Sequence, residues 1–254
     1  MNPLYIYWQP SEVAIHLGSL SVRWYALCWL TGLVLAYLLM KWLYKEHKYS
    51  DEKFDPLFLY VFLGILVGAR LGHCLFYEPD YFLSSGTHIV EMFLPIHFLE
   101  GGGWKFTGFA GLASHGGVAG LLVGLWLYIK RYKMPTWVVL DLMGVVSCIT
   151  ACFIRLGNLM NSEIVGNVTD VPWAFIFAHV DKAPRHPGQL YEAIAYACFF
   201  AIIFLIYRKH KDRVGTGLYF GLCLTLVFTF RFFIEFRRYR RLSRPICRST
   251  WASC

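Results

Sequence analysis

The sequence predicts an all-α polytopic membrane protein with about six transmembrane helices and the N-terminus outside. Three observations carry that prediction. Of 254 residues, 57% are hydrophobic and only 16% charged, and mean hydropathy is +0.48; a soluble domain carries about a quarter charged residues. The apolar residues gather in runs of about twenty, the length of helix that crosses a hydrocarbon core about 30 Å thick. Lysine and arginine concentrate in alternate connections between those runs, as they do on the cytoplasmic side of membrane proteins. The same composition excludes a disordered chain. The pI of about 9.1 does not indicate a nucleic-acid partner. Six arginines in the last eighteen residues supply six of the eight net positive charges, leaving +2 for the rest.

The spans are expected near 21–40, 57–76, 107–129, 136–154, 189–207 and 216–236. Closed barrels are the other backbone solution in lipid, but their short alternating segments are absent. The first span is followed by KWLYKEHKYSDEK at 41–53, which has four lysines. The second carries Gly64, Gly68 and Gly72, and the third Gly120 and Gly124; small residues four apart let two helices approach closely. The third span ends in KRYK at 130–133, and the fifth leads into RKHKDR at 208–213. With those three connections inside, segments 77–106 and 155–188 face outside. MNPLYIYWQP has no basic region ahead of an apolar stretch, so no cleavable signal peptide is expected. Six of the eight cysteines fall in spans without a CxxC pair and read as small packing residues. In 77–106, Trp104 and the run Gly101, Gly102, Gly103 are read as a mobile gate, on the strength of glycine's backbone freedom.

A charge near the bilayer centre costs roughly 2.5–3.5 kcal/mol on insertion scales, so ionisable residues in spans are functional candidates. They are Arg70, His115, Asp141, Arg155, Glu192, Arg231 and Glu235. Under the assigned orientation all but Asp141 lie just beneath the outer interface. Asp141, near an inner helix start, is explained by the positive end of the helix dipole. Arg231 and Glu235 are four apart and could neutralise each other. Mixed charges at one depth indicate a polar cavity, and arginines there suit a phosphate, whose oxygens match the guanidinium fork. The segment RLGNLMNSEIVG (Arg155, Gly157, Asn158, Asn161, Glu163, Gly166) is unusually polar for a membrane helix end. Gly157 and Asn158 would serve as a helix cap and turn, which leaves the arginine, amides and carboxylate unexplained.

That segment closely resembles the hallmark of the prolipoprotein diacylglyceryl transferases, bacterial enzymes that move diacylglycerol from phosphatidylglycerol to the lipobox cysteine of a prolipoprotein. Four further motifs follow in the family's order: SVRWYALCW with Tyr25, SHGGVAG with His115 and Gly116, RHPGQLYE with His186, Gln189 and Glu192, and FRFFIEF with Arg231 and Glu235. They cover about residues 18–236. Leu159, Ser162, Gly188 and Val227 depart from the family's usual residues, and none of these changes removes a charge. The resemblance implies one transmembrane transferase domain over 1–236. Beyond Phe236 family members continue into a seventh helix, often entered by Met-Gly-Gln-Leu. Here that helix is missing and 237–254 is a basic tail. Thr250–Cys254 could be read from the codons ACA TGG GCC AGC TGC, a string that encodes Met-Gly-Gln-Leu when shifted by two bases, so the hypothesis is a frameshifted tail.

The implied reaction is an alkyl transfer that forms a thioether, releases glycerol phosphate and begins bacterial lipoprotein maturation at the outer face of the inner membrane. The implied catalytic set is His115 as base, Arg231 as phosphate clamp, Glu235 as orienter or base, and Tyr25. The implied substrate-binding set is Arg155, Asn158, Asn161, Glu163, Gly116, Gly166 and Glu192. The partners are phosphatidylglycerol, prolipoprotein signal peptides and membrane lipids, with no cofactor and no metal, since no His/Cys/Asp set has ligand spacing. Two rival readings are a small transporter and a phosphatidylglycerol-binding scaffold without chemistry. A transporter would continue its polar path inward, and here only Asp141 does so.

Overall fold

The computed structural model describes residues 5–17, 20–94, 96–99, 102–106 and 111–239, with Leu17, Leu20, Phe106 and residues 235–239 by backbone alone. In chain order the elements are β1 (Ile6–Trp8), β2 (Val13–Leu17), β3 (Leu20–Arg23), α1 (Trp24–Glu46), α2 (Asp51–Phe76), α3 (Pro79–Phe82), α4 (Gly86–Phe93), β4 (Ile96–Phe98), β5 (Trp104–Phe106), α5 (Ser114–Tyr132), α6 (Thr136–Met160), β6 (Phe175–Phe177), β7 (Pro184–Arg185), α7 (Gly188–Lys209) and α8 (Leu218–Tyr239). The protein is a mainly helical, multi-pass membrane protein. Helices α1, α2, α6 and α7 are each long and apolar enough to cross a bilayer, and α8 is apolar over Leu218–Ile234. The described residues form two compact units, 5–46 with 135–239, and 47–134.

In the first unit α6 packs against α1, α7 and α8. The β2–β3 hairpin occupies the residues before Trp24, so α1 begins later than residue 21 and runs on to Glu46. Glu46 accepts the Tyr207 hydroxyl at 2.5 Å and pairs with Lys211, tying the end of α1 to the end of α7. Asp141 has a different role from the one expected. Its carboxylate, wholly buried, accepts the backbone N–H groups of Gly215 and Gly217 at 2.9 Å and of Phe220 at 3.0 Å. It therefore caps the start of α8 from α6, where a negative charge meets the positive end of α8's dipole. Gly215 and Gly217 make the turn with φ of +97° and +84°, a region open to glycine without steric cost. Three strands form a small sheet in the order β1-β6-β7, with β1 and β6 parallel. Trp8 Nε1 donates to the Leu159 carbonyl at 3.0 Å and so anchors that sheet to the end of α6.

In the second unit the glycine spacing works as the sequence indicated. A Cβ on Gly64 would meet Gly120 O at 2.5 Å, and one on Gly68 would meet Gly116 O at 2.4 Å and Gly120 Cα at 2.6 Å. Helices α2 and α5 thus cross backbone to backbone. Helix α5 starts at Ser114 rather than 107, because Gly111 at φ +79° turns the chain beforehand. The segment read as an outer loop, 77–106, is largely structured. Gly102 and Gly103, at φ +81° and +109°, shape the turn of the β4–β5 hairpin, so conformation rather than motion explains them; Gly101 lies outside the described residues. Arg70 is likewise engaged here. It donates to the carbonyls of Glu91 at 2.8 Å and Met92 at 3.3 Å and lies over the Phe82 ring, a cation at the C-terminal end of α4.

Glu91 holds the other side of that segment. Its buried carboxylate accepts Phe98 N–H at 2.6 Å and the Tyr81 hydroxyl at 2.8 Å, with His97 Nδ1 at 3.3 Å. Burial alone would raise its pKa, but these partners outweigh it and hold the carboxyl below its ordinary value. Burial and the Glu91 contact push Tyr81 up to about 12.

Two predictions follow from this packing. Gly68→Ala forces backbone apart and lowers the melting temperature in detergent, by about 1–3 kcal/mol of overpacking; Gly86→Ala, where a Cβ meets nothing within 4 Å, leaves it unchanged or higher. Because the folded pKa of Glu91 is depressed, its stabilisation is present above the unfolded value near 4.3 and is lost as pH falls through the folded one. Protease cleavage within 79–106 rises below about pH 4, and Glu91→Ala shows the same cleavage at neutral pH, since Phe98 N–H loses its acceptor at a cost of about 1–3 kcal/mol.

Candidate active site

Three consecutive structural choices build a polar site at one end of the first unit. The first is that α6 does not stop at Gly157 and Asn158. It runs through both to Met160, and the turn follows at Asn161 and Ser162, with Ser162 at φ +56°. Gly157 is a packing position instead: a Cβ there would lie 3.0 Å from Tyr25 Cδ2 and 3.4 Å from Cys28 Cβ. This places the Tyr25 ring of α1 against α6, one turn from the polar residues that follow. The second choice is helical phase. Arg155 and Asn158 are three apart on α6, and Gln189 and Glu192 three apart on α7, so each pair shares a helix face. The third is the antiparallel course of α7, which begins where α6 ends.

The two faces meet. Arg155 Nε lies 2.7 Å from Glu192 Oε2, and Arg231 Nη1 of α8 lies 3.2 Å from that same oxygen. Glu192 and Arg155 are almost fully withdrawn from solvent, with 5% and 17% of their side chains exposed, whereas Arg231 is 38% exposed. Tyr196 OH also reaches Glu192 Oε2, at 3.5 Å. One anionic oxygen therefore sits between two guanidiniums contributed by different helices.

A further group of contacts lies one turn along. Asn158 Nδ2 and Asn161 Nδ2 each donate to Glu163, to Oε2 and Oε1 respectively, both at 3.0 Å. Gln189 Nε2 donates to the Glu163 carbonyl, and Glu163 N–H donates to Asn158 O at 2.9 Å. Gly166 is fixed by His186, whose carbonyl accepts the Gly166 N–H at 3.0 Å. A Cβ at Gly166 would meet that carbonyl at 2.5 Å, so glycine is required for this backbone contact. Arg185 Nη1 donates to the Gly166 carbonyl at 3.2 Å while its Nε binds Asp181 at 3.1 Å. The Arg185 hydrogen bond holds the Asp181 carboxyl below its usual range. Trp173 Nε1 donates to Tyr191 OH at 2.8 Å, which lies 3.1 Å from His186 Nδ1.

The structure thus brings together Arg155, Asn158, Asn161, Glu163, Glu192 and Arg231, with Tyr25 on the adjoining helix. His115 belongs to the second unit, exposed in the first turn of α5. Gly116 lies at the α2–α5 crossing, where a Cβ would meet Gly68 O at 2.3 Å, so helix contact already requires glycine there. The Glu235 side chain and the tail from 240 to 254 lie outside the described residues. Sequence reasoning gave no role to Gln189 or Arg185. Gln189's signal was its spacing of three from Glu192; Arg185 opens the RHPGQLYE motif, but its partner Asp181 lies outside that motif and meets it only once β7 is formed.

The chain matches the family described as prolipoprotein diacylglyceryl transferase over residues 12–254, a longer range than the five motifs cover and one that takes in the basic tail. It belongs to that family. It is 54% identical over 233 residues to the phosphatidylglycerol–prolipoprotein diacylglyceryl transferase of Bacteroides fragilis, covering 92% of this chain and 83% of the relative. The proteins of the same name from Tolumonas auensis and Pseudomonas aeruginosa are 41% and 33% identical, each over 91% of this chain and 84% and 82% of their own. Within this family member the Glu192 bridge is also a stability element. Glu192→Ala leaves the largely withdrawn Arg155 facing Arg231 without the shared carboxylate, read as a fall in melting temperature in detergent.

Proposed function

We propose that this family member transfers the diacylglyceryl group of phosphatidylglycerol to the lipobox cysteine of prolipoproteins, at the outer face of the inner membrane of a bacterium. In this reading α1, α2, α5, α6, α7 and α8 cross the bilayer, with the Arg155–Glu192–Arg231 end outward. The observation that carries it is the convergence of two guanidiniums on one carboxylate oxygen. That oxygen marks a position where an anionic oxygen is stabilised from two sides, which is what a departing phosphate needs.

The bonds balance simply. The cysteine thiolate attacks the glycerol carbon that bears the phosphate ester. A C–S bond forms, the C–O bond breaks, and its electron pair goes to the phosphate oxygen, which leaves as glycerol phosphate. A free thiol has a pKa of about 8.5, so it must lose its proton to react. His115 is the proposed acceptor, on the family resemblance and because histidine can take a proton near neutrality. Arg155 and Arg231 take the developing charge as bidentate donors. Glu192 holds them together before substrate arrives. Asn158, Asn161 and Glu163 face the head group, and Tyr25 supports Gly157 beneath them.

Reconstitution with labelled phosphatidylglycerol and a lipobox peptide tests this directly, with thioether product as the readout. Arg231→Lys retains charge but loses the fork. It reduces kcat at least about 100-fold, the scale of losing one oxyanion donor, while the melting temperature changes little. Full turnover in that variant would remove the clamp role, and full turnover in His115→Gln would move the base elsewhere. Lipid binding without thioether would leave only a scaffold.

A further inference from the structure

Three buried oxygens beside Glu163 have no hydrogen-bond partner among the described residues: Asn161 Oδ1, Ser162 Oγ and Gln189 Oε1. Buried polar atoms are nearly always satisfied, so each such orphan calls for a cause. Gln189 is 1% exposed and Ser162 5% exposed, so bulk water does not serve them. Their orientation is determined by bonds already made. Gln189 must present Nε2 to the Glu163 carbonyl, and Asn161 must present Nδ2 to Glu163 Oε1. Flipping either amide would set two acceptors against each other. The two amide oxygens accept only, and the serine hydroxyl accepts or donates. What is missing is therefore a set of at least two hydrogen-bond donors.

We infer that Asn161 Oδ1, Ser162 Oγ and Gln189 Oε1 read the two free hydroxyls of the phosphatidylglycerol head group and make Ser162 and Gln189 specificity-determining residues. This rests on the transfer reading above and adds to it the atoms that select the head group. A phosphate oxygen offers no donor and is repelled by these acceptors. An acyl chain offers none either. A glycerol head group offers two donors, separated from phosphorus by only a few bonds. The geometry fits that short reach. Gln189 precedes Glu192 by three residues on α7, and Asn158 follows Arg155 by three on α6, a step of about 4.5 Å along each helix. A phosphate held by Arg155 and Arg231 thus places its glycerol one turn along, at the orphaned oxygens. Each Glu163 carboxylate oxygen accepts one amide and has capacity for a second donor, so Glu163 adds to the acceptors beside the three orphaned oxygens.

The test compares phosphatidylglycerol with phosphatidylpropanol, which has the same head-group carbons and neither hydroxyl, in the reconstituted transfer assay. The expected result is a kcat/KM about 10- to 100-fold higher for phosphatidylglycerol, because the analogue leaves buried acceptors unpaired. Ser162→Gly and Gln189→Met then narrow that ratio several-fold. Ser162 has a positive φ, so glycine is at home there and this variant folds even if the other does not. A purely structural defect would lower both lipids equally and leave the ratio unmoved. Equal use of the two lipids by the wild type overturns the inference and leaves the transferase reading intact. An unchanged ratio in both variants overturns it too, and assigns the orphaned oxygens to ordered water. Absence of product with either lipid would sink the transfer reading, and this inference with it.

Discussion

A single carboxylate shared by two arginines inside a bundle of apolar helices is the constraint around which the first unit is arranged. Exposed ion pairs contribute about 0–1 kcal/mol, and such a bond could be lost without consequence. Withdrawn from solvent, Glu192 and Arg155 bind the structure to one solution, because leaving either unpartnered is far more costly than the pair is favourable, and the more exposed Arg231 completes the bridge. Glu192 on α7 must therefore sit between Arg155 on α6 and Arg231 on α8. Three helices are fixed in rotation as well as spacing by one oxygen. The arrangement also keeps two like charges together without a bound anion, which the proposed phosphate site would require between turnovers.

Other contacts serve that placement from a distance. Asp141 seats the start of α8 on α6 through three backbone N–H groups, and Gly144 allows the close approach, since a Cβ there would meet Phe220 Cα at 2.8 Å. Arg231 is carried to its position by the helix so seated. At the opposite end, Trp8, Gln189 and Arg185 hold the end of α6 and the chain that follows it. Each of these is a polar group satisfying backbone that would otherwise be orphaned where a helix stops. The site is thus defined by how the helices end.

The helices were legible because apolar length and basic connections are local properties of the chain. Their starts were less so: α1 and α5 begin late owing to a hairpin and to Gly111, neither of which alters hydropathy. The strands were not legible. IYW and FIF pair across most of the chain, and nothing within either segment says so. The expense of a charge in lipid flagged Arg155, Glu192 and Arg231, which the structure joins in one ion-pair bridge. The same reasoning flagged Arg70, which holds helix carbonyls, and could not tell the two uses apart, since both satisfy a buried cation. Asp141 was read with the right physics and the wrong helix. Gly157 looked like a turn because a packing glycine and a turn glycine are identical in sequence; only the Tyr25 ring decides between them.

The order of side chains along α6 and α7 imposes a direction on any lipid bound there. On α6 the residues preceding Arg155 are apolar, and beyond it come Asn158, Asn161 and Glu163. On α7 the order is mirrored, with Gln189, then Glu192, then an apolar run. A cationic level is thus bounded on one side by hydrocarbon and on the other by amides, a hydroxyl and the Glu163 carboxylate. A phosphodiester centred on the arginines has two substituents to dispose of. The acceptors repel an ester-bearing acyl arm, which carries no donor, and the apolar side penalises a glycerol with free hydroxyls. Only one orientation satisfies both, with the diacylglyceryl arm toward the hydrocarbon. Under the proposed function, the carbon to be attacked would then lie on the membrane side of the phosphate, the side from which a cysteine following an apolar segment would reach it.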